Sequence, residues 1–249
     1  MKDAPATSVH LTDAPTSWPR AAALAGIAFA VFLALAWFLN GAETPHYNAP
    51  DRDWTTWANN TEMKGRFAAF FALLAGLVFL PYAATVRGWL GRAEEQGSGS
   101  TRLTQIGYAG GLVGVTSFTI ATVTFSGASA EGAQANPDVS RAIATGDVGP
   151  FLVAPMGFAA LLAATGLVAL RTGVLPRWTA AVALIGAVSF VITFLTTLDG
   201  TADGSVFGYG FFPGVVALLT WSIATSIATY RAQRDTEAAS AVSHAPTLS

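Results

Sequence analysis

Cysteine is absent from the 249 residues, and charged residues are scarce. Without a thiol, the chain cannot form disulfides, thiolate metal sites, iron–sulfur clusters or a cysteine nucleophile. Charged residues make up 11% of the chain, whereas an average soluble domain carries about 25%. The net charge is −2 and no basic block is present, so the electrostatic footprint of a nucleic-acid-binding protein is missing. We expect no nucleic-acid partner.

Long uncharged runs dominate what the sequence does contain. A helix needs roughly 20 residues to cross a hydrocarbon core of about 30 Å. The runs that lack Asp, Glu, Lys, Arg and His are 21–39, 67–86, 103–126, 148–170, 178–198 and 206–230. They are continuous in Ala, Leu, Val and Phe, unlike the alternating pattern of a membrane β-strand. The sequence therefore predicts an all-α polytopic membrane protein, a bundle of six transmembrane helices within residues 21–230.

The distribution of Lys and Arg predicts the orientation of this bundle. Cytoplasmic loops carry an excess of these residues. With the N-terminus inside, nine of the 13 lie on the inner side. We therefore expect both termini to be cytoplasmic, in a multi-pass protein of the bacterial cytoplasmic membrane. The tails 1–20 and 231–249 are predicted to be disordered, because they are rich in Ala, Ser, Thr and Pro. The inner loop 88–102 has the composition of a flexible Gly/Ser connector.

Two outer loops are long enough to contain structure. In the first, Trp54 and Trp57 are three residues apart and suit the interfacial zone of the membrane. In the second, Asn136 precedes a proline and an aspartate that favour a helix start, and Gly146 favours its end. We expect a short surface helix over residues 137–145.

The stretch RTGVLPRW, residues 171–178, lies between two of the runs. Arg171 suits a helix C-terminus, and Gly173 suits the left-handed residue that follows it. Pro176 halts one helix and starts the next, and Trp178 suits the membrane interface. The stretch is predicted to be a tight turn at the inner side of the membrane.

Small residues four apart predict where helices pack closely. Glycine pairs at this spacing let two backbones approach, so that van der Waals packing holds the helices together in lipid. We expect packing faces at the following glycines: Gly107, Gly110, Gly111, Gly114, Gly210 and Gly214.

Hydroxyl side chains concentrate in the third, fifth and sixth runs. They allow two interpretations. Such residues commonly bond to a carbonyl of their own helix, and they also hydrogen-bond neighbouring helices or line a polar cavity. If a cavity exists, we expect it to be lined by Thr119, Thr122, Thr193 and Thr196.

Residues with catalytic or redox chemistry are missing from the runs. No ionisable side chain lies within them, which disfavours pumps, proton-coupled transporters and voltage sensors. The three histidines lie in tails or loops, so the sequence indicates no haem ligands. Nucleophile, phosphate-binding and zinc motifs are also absent. We predict no catalytic residue, no cofactor, no metal site and no enzymatic activity.

Several segments together resemble a known family. These segments are ATVRGWLGRAEEQGSGSTRLTQIG, NPDVSRAIATGDVGPFL, ALRTGVLPRWTAAVALIGAV and TWSIATSIATY. They are similar to six-span integral membrane proteins of actinobacteria, of the DUF4386 type, over about residues 21–230. The resemblance implies the same six-span plan. It implies no catalytic or binding residues, since the family has no established function.

Two functional hypotheses follow. The first is a structural, regulatory or interaction component of the cell membrane. Its expected partners are the lipid bilayer and either another membrane protein or further copies of the same chain. The alternative is a small transporter or binder of an apolar or lipid-like molecule. The absence of intramembrane charge and the packing glycines favour the first hypothesis.

The orientation is testable with a reporter fused to the C-terminus. A reporter that is active only in the cytoplasm should be active, because six spans return the chain to the side of its N-terminus, where nine of the 13 Lys and Arg residues lie. A reporter that requires export should be inactive. The opposite pair of results would contradict the predicted orientation.

Overall fold

The computed structural model describes residues 18–40, 45–46, 48–130, 136–146, 148–198 and 205–243. Within these ranges the chain is helical, and no strand occurs. The helices are α1 Trp18–Asn40, α2 Asp51–Ser98, α3 Arg102–Ala128, α4 Pro137–Gly146, α5 Val148–Thr172, α6 Arg177–Leu198 and α7 Ser205–Ser243. All except α4 contain a stretch long and apolar enough to cross a membrane. The predicted all-α polytopic bundle is confirmed.

The six long helices form a closed ring. Each packs against the next along the chain in the order α1, α2, α3, α5, α6 and α7, and α7 packs against α1. Additional contacts join α2, α5 and α7 across the middle. Large side chains fill this centre, among them Phe79, Tyr82, Leu162, Leu218 and Trp221. The outside of the ring exposes apolar side chains instead, as a surface facing lipid requires.

Helix α2 is much longer than the predicted span at 67–86. Its 48 residues correspond to about 72 Å, more than twice the thickness of a hydrocarbon core. The interpretation of residues 88–102 as a flexible connector is wrong, because α2 continues through them to Ser98. Leu90 is fully buried there, and Gly91 packs against α3. The helix ends at Gly99, whose φ of 66° is left-handed and whose N–H donates to the Glu95 carbonyl.

Two further predictions of local structure are confirmed. The turn in RTGVLPRW occurs as expected: Gly173 has φ 65° and donates to the Ala169 carbonyl, and α6 begins at Arg177. The surface helix predicted over 137–145 is α4, which is Pro137–Gly146. Its start is capped by Asn136, whose side-chain oxygen accepts from the Asp138 N–H at 3.1 Å.

The tails differ from the prediction where they are described. Helix α7 continues from residue 231 to Ser243, whereas the sequence predicted disorder from residue 231. Ala, the strongest helix former, supplies four of the 13 residues of this extension. The predictions for residues 1–17 and 244–249 lie outside the described residues.

Glycines allow α3 and α5 to cross closely. A Cβ atom at Gly110 would lie 2.7 Å from the Ala160 Cβ, and one at Gly157 would collide with the backbones of Gly110 and Gly114. Gly107 faces α5 in the same way, whereas Gly111 faces the Phe79 ring of α2. In α7, Gly214 makes room for the Phe190 ring of α6. Gly210 lies outside the residues whose surroundings are described.

The crossing of α3 and α5 can be tested with Gly157→Ala. The added methyl group would collide with backbone atoms of α3, which cannot move aside by a change of side-chain rotamer. We therefore expect the free energy of unfolding to fall by about 1–3 kcal/mol. The measurement is the unfolding of the purified protein in detergent micelles. The control is Gly127→Ala, where the methyl has no neighbour within 4 Å and stability should be unchanged or slightly raised. Equal stability of the two variants would contradict the close crossing.

Candidate functional site

The hydroxyls predicted to line a cavity bond to helix carbonyls instead. The Thr122 hydroxyl donates to the Phe118 carbonyl at 2.9 Å, and that of Thr193 donates to the Ser189 carbonyl at 3.0 Å. Both side chains are fully buried. Thr119 reaches across to α2, where it donates to the Ala72 carbonyl at 3.3 Å. The side chain of Thr196 lies outside the described residues.

A buried polar cluster lies at the meeting of α1, α2 and α7. The Tyr82 hydroxyl lies 2.6 Å from Thr225 Oγ1 and 3.4 Å from the Ser222 carbonyl. The Thr225 hydroxyl itself donates to the Trp221 carbonyl, so the tyrosine is the donor in their contact. Gly26 of α1 faces this cluster, and any side chain there would collide with the Tyr82 ring. The cluster links three helices by packing and hydrogen bonds.

A small internal cavity lies beside this cluster, toward the end of the bundle where α7 terminates. Its volume is about 20 Å³, which is room for one water molecule. Its wall includes Tyr82, Thr104, Tyr108, Thr165 and Trp221. A second cavity, of about 10 Å³, is enclosed mainly by aromatic and aliphatic side chains. Neither is lined by Thr119, Thr122 or Thr193.

Glu94 joins the inner end of α2 to the start of α3. Its carboxylate accepts from the backbone N–H groups of Leu103 and Thr104, at 3.0 and 2.9 Å, and from the Thr104 hydroxyl at 2.7 Å. Thr101, the residue in the N-cap position of α3, makes no side-chain capping bond. Glu94 therefore acts as the cap from another helix, where its charge is favoured by the helix dipole.

The charge of Glu94 is stabilised by its partners. Burial alone would raise the pKa of this carboxyl. The hydrogen bonds from Thr104 and Leu103 and the nearby positive charge of Arg171 outweigh that effect and hold its pKa below the ordinary value. Arg171 thus has an electrostatic role at the end of α5.

The opposite end of the bundle is the one that the distribution of Lys and Arg predicts to be outside. It carries a substructure, the outer cap, which consists of the first turns of α2, residues 51–66, and α4. Trp54 and Trp57 are 2% and 8% exposed, so the predicted position of these rings in the interfacial zone is wrong. They pack against α4 and the end of α3, with Ala128, Phe125, Ile143 and Ala144 around them. Packing against α4 buries the face of α2 on which the three-residue spacing places both tryptophans.

Arg141 of α4 fastens the outer cap. Its guanidinium bonds to Asp51 at 3.0 Å, to Asp138 at 2.7 Å and to the Ala49 carbonyl at 3.1 Å. It also lies over the Trp54 ring, at 5.6 Å from the ring centre. The side chain is 15% exposed. Asp51 lies 90 positions from Arg141 and Ala49 lies 92 positions from it, so no local sequence signal indicates these two contacts.

An open groove borders this arginine on the outer surface. It has a volume of about 410 Å³ and is lined by Asn48, Ala49, Asp138, Arg141 and Ala142. Among the residues that the structure describes, no group of three or more His, Cys, Asp or Glu side chains is placed to hold a metal ion. The polar groups that line the groove are the Arg141 guanidinium, the Asp138 carboxylate and the Asn48 amide.

The cap formed by Glu94 can be tested by pH and substitution. We expect Glu94→Gln to lower stability by about 1–3 kcal/mol near neutral pH, because the amide cannot accept from all of the donors. The folded pKa lies below the ordinary value of 4.5, so the stabilisation is complete above that pH and is lost as the pH falls through the folded pKa. The difference between the two proteins should therefore shrink below pH 4.5.

The unfolding of both proteins in micelles across this pH range measures the effect. Glu95→Gln is the matched control, since it removes the same charge from the exposed neighbouring position. A constant difference between Glu94→Gln and the natural chain at all pH values would contradict a charged cap.

Comparison with known proteins adds no relative to this chain. No family model, no curated protein and no solved structure matches it. The resemblance to the DUF4386-type family consequently stays a prediction. The chain is an all-α, multi-pass integral membrane protein.

Proposed function

We propose that this integral membrane protein is a non-catalytic component of the bacterial cytoplasmic membrane that acts by binding a partner protein at its outer cap. The observation that carries the proposal is the rigid construction of that cap. Connections between helices in a bundle need only about two to eight residues. The outer cap is larger than such a connection. Its α2 part contains the buried Trp54 and Trp57, and its α4 part contains Arg141, which makes several polar contacts.

The surface of the cap offers groups suited to recognition. Residues in connecting segments that are held by a rigid scaffold commonly carry binding functions. The groove beside Arg141 is open, and exposed polar and apolar side chains adjoin it, including Asn48, Ala142 and Val139. Mixed surfaces of this kind occur at protein–protein interfaces. A second copy of the chain is one form that the partner could take.

The interior of the bundle favours interaction over transport. The two internal cavities described above hold about one water molecule or less, whereas ligand sites usually measure about 300–1,000 Å³. Thr122 and Thr193 bond within their own helices. The central helices are in contact rather than separated by a passage.

A binder of a lipid-like molecule is the second candidate. The observation that favours it is an apolar groove of about 330 Å³ on the outside of the ring, between α6 and α7. Ile185, Phe212, Pro213 and Val216 line it. Its apolar lining suits an acyl chain, and its position would place the molecule at the lipid boundary rather than inside the bundle.

Photo-crosslinking in living cells distinguishes the two candidates. A photoreactive amino acid is placed at Ala142 in the outer cap, at Val216 in the apolar groove, or at the exposed Gln96 on the inner end as a control. The proposal predicts a discrete protein adduct at Ala142 and none at Gln96. A defined lipid adduct at Val216, with no protein adduct at Ala142, would favour the second candidate and contradict the first.

A further inference from the structure

A second groove lies at the inner end of the bundle, between α2 and the start of α3. It is open and has a volume of about 340 Å³. Small residues of α2, namely Ala84, Gly88 and Gly91, form part of its lining. Arg87 and Arg92 of the same helix also line it. Two arginines five residues apart on α2 thus border a depression that has little side-chain bulk on the α2 side.

Both arginines are held beside the groove by contacts with neighbouring residues. The Arg87 guanidinium lies over the Tyr108 ring of α3, 5.0 Å from its centre. The Arg92 side chain folds back along α2, and its Nη1 atom would lie 4.0 Å from a Cβ at Gly88. Within the part of the chain that the structure describes, no carboxylate lies within ion-pair distance of either guanidinium. Both arginine side chains are exposed on the surface of the protein.

The other polar groups of the groove leave an excess of positive charge. Glu95 is the acidic side chain in its lining, against the two arginines. Glu94 faces away, since it is bonded to the first turn of α3. The Gln105 amide donates one hydrogen to Thr101 and keeps a second donor. The lining of the groove therefore contains two guanidinium groups and a free amide hydrogen against one carboxylate.

The depth of the groove in the membrane identifies the source of the anion. Arg87 directly follows the apolar run 67–86, and Arg92 lies about 7.5 Å further along the helix axis. This is the level of the lipid phosphates, where arginine side chains extend from the edge of the hydrocarbon core. Guanidinium groups bind phosphate oxygens in bidentate geometry. The cytoplasmic leaflet supplies anionic phospholipids at this level.

We propose that the groove between α2 and α3 is a binding site for the phosphate head group of an anionic phospholipid of the cytoplasmic leaflet. Arg87 and Arg92 contact the phosphate oxygens, and the small residues of α2 let the head group approach the helix. The site is at the opposite end of the bundle from the outer cap. The protein would thus be anchored to a particular lipid class on one side and free to bind its partner on the other.

The test uses the full-length protein in detergent micelles, titrated with phosphatidylglycerol or with phosphatidylcholine of the same acyl chains. Bound lipid is counted by native mass spectrometry. We expect saturable binding of phosphatidylglycerol and much weaker binding of phosphatidylcholine. The double variant Arg87→Gln/Arg92→Gln should raise the Kd for phosphatidylglycerol roughly tenfold or more, which corresponds to about 1.4 kcal/mol.

A matched double variant controls for net charge. Arg231→Gln/Arg234→Gln removes two exposed arginines from the inner end of α7, outside the groove. Its Kd should stay within about twofold of the natural chain, as expected for surface charges that are screened and distant. Equal weakening by both double variants would overturn the proposal in favour of general electrostatic attraction. No weakening by the groove variant would overturn it as well.

Two further measurements keep the result interpretable. Arg87→Lys/Arg92→Lys keeps the charge but removes the planar forks, so an intermediate Kd is expected. Inorganic phosphate alone is the competitor: it should not displace phosphatidylglycerol, and displacement at comparable concentrations would assign the site to a free phosphate instead.

Should the groove variants fail to fold, a photoreactive phosphatidylglycerol crosslinked to the natural chain should label peptides from residues 84–105. Labelling elsewhere would contradict the site.

Discussion

The close crossing of α3 and α5 is the constraint on which the rest of the bundle depends. Lipid tails are as apolar as the helix surfaces, so helices in a membrane associate through packing and hydrogen bonds rather than through the hydrophobic effect. Gly110 and Gly114 of α3 meet Gly157 of α5 with no side chains between the backbones. This contact brings α5 next to α3 although α4 separates them in sequence, and it allows the remaining helices to close the ring in chain order.

Each end of the ring has its own polar fastening. At the inner end, Glu94 caps α3 and lies near the charge of Arg171 at the end of α5. At the outer end, Arg141 ties α4 to the first turn of α2. Both fastenings pair an ionised group with several hydrogen-bond partners outside the apolar segments, where charge-assisted bonds are strong and the cost of burying an ion is limited. The membrane-embedded middle relies on glycine contacts and on the Tyr82 cluster.

The two ends differ in what they present to their surroundings. The outer cap is held by several polar contacts and carries an open polar groove, where the proposed partner would bind. The inner groove presents two guanidinium groups, which we propose to contact lipid phosphates. A component that holds a lipid class on one side and a partner on the other would couple the position of that partner to the lipid composition of the membrane.

Local patterns predicted the elements whose signals are contained within a few residues. The turn at Gly173, the start of α4 at Asn136 and the six apolar runs are of this kind, because capping geometry and span length depend on neighbouring residues alone. The Gly and Ser content of residues 88–102 predicts a linker, but α2 continues to Ser98. Contacts of Leu90, Gly91 and Glu94 with the rest of the bundle outweigh the low helix propensity of those glycines.

By itself, the sequence determined that this chain spans a membrane six times as helices, since an apolar run of sufficient length leaves a backbone in lipid no other way to satisfy its hydrogen bonds. Only the tertiary structure decided what the polar and aromatic residues do. Trp54 is buried rather than at the lipid interface, and Glu94 is a helix cap rather than part of a linker, because their partners lie on other helices. Contacts between residues distant in the sequence depend on how the helices cross, and spacing along one helix carries no information about that.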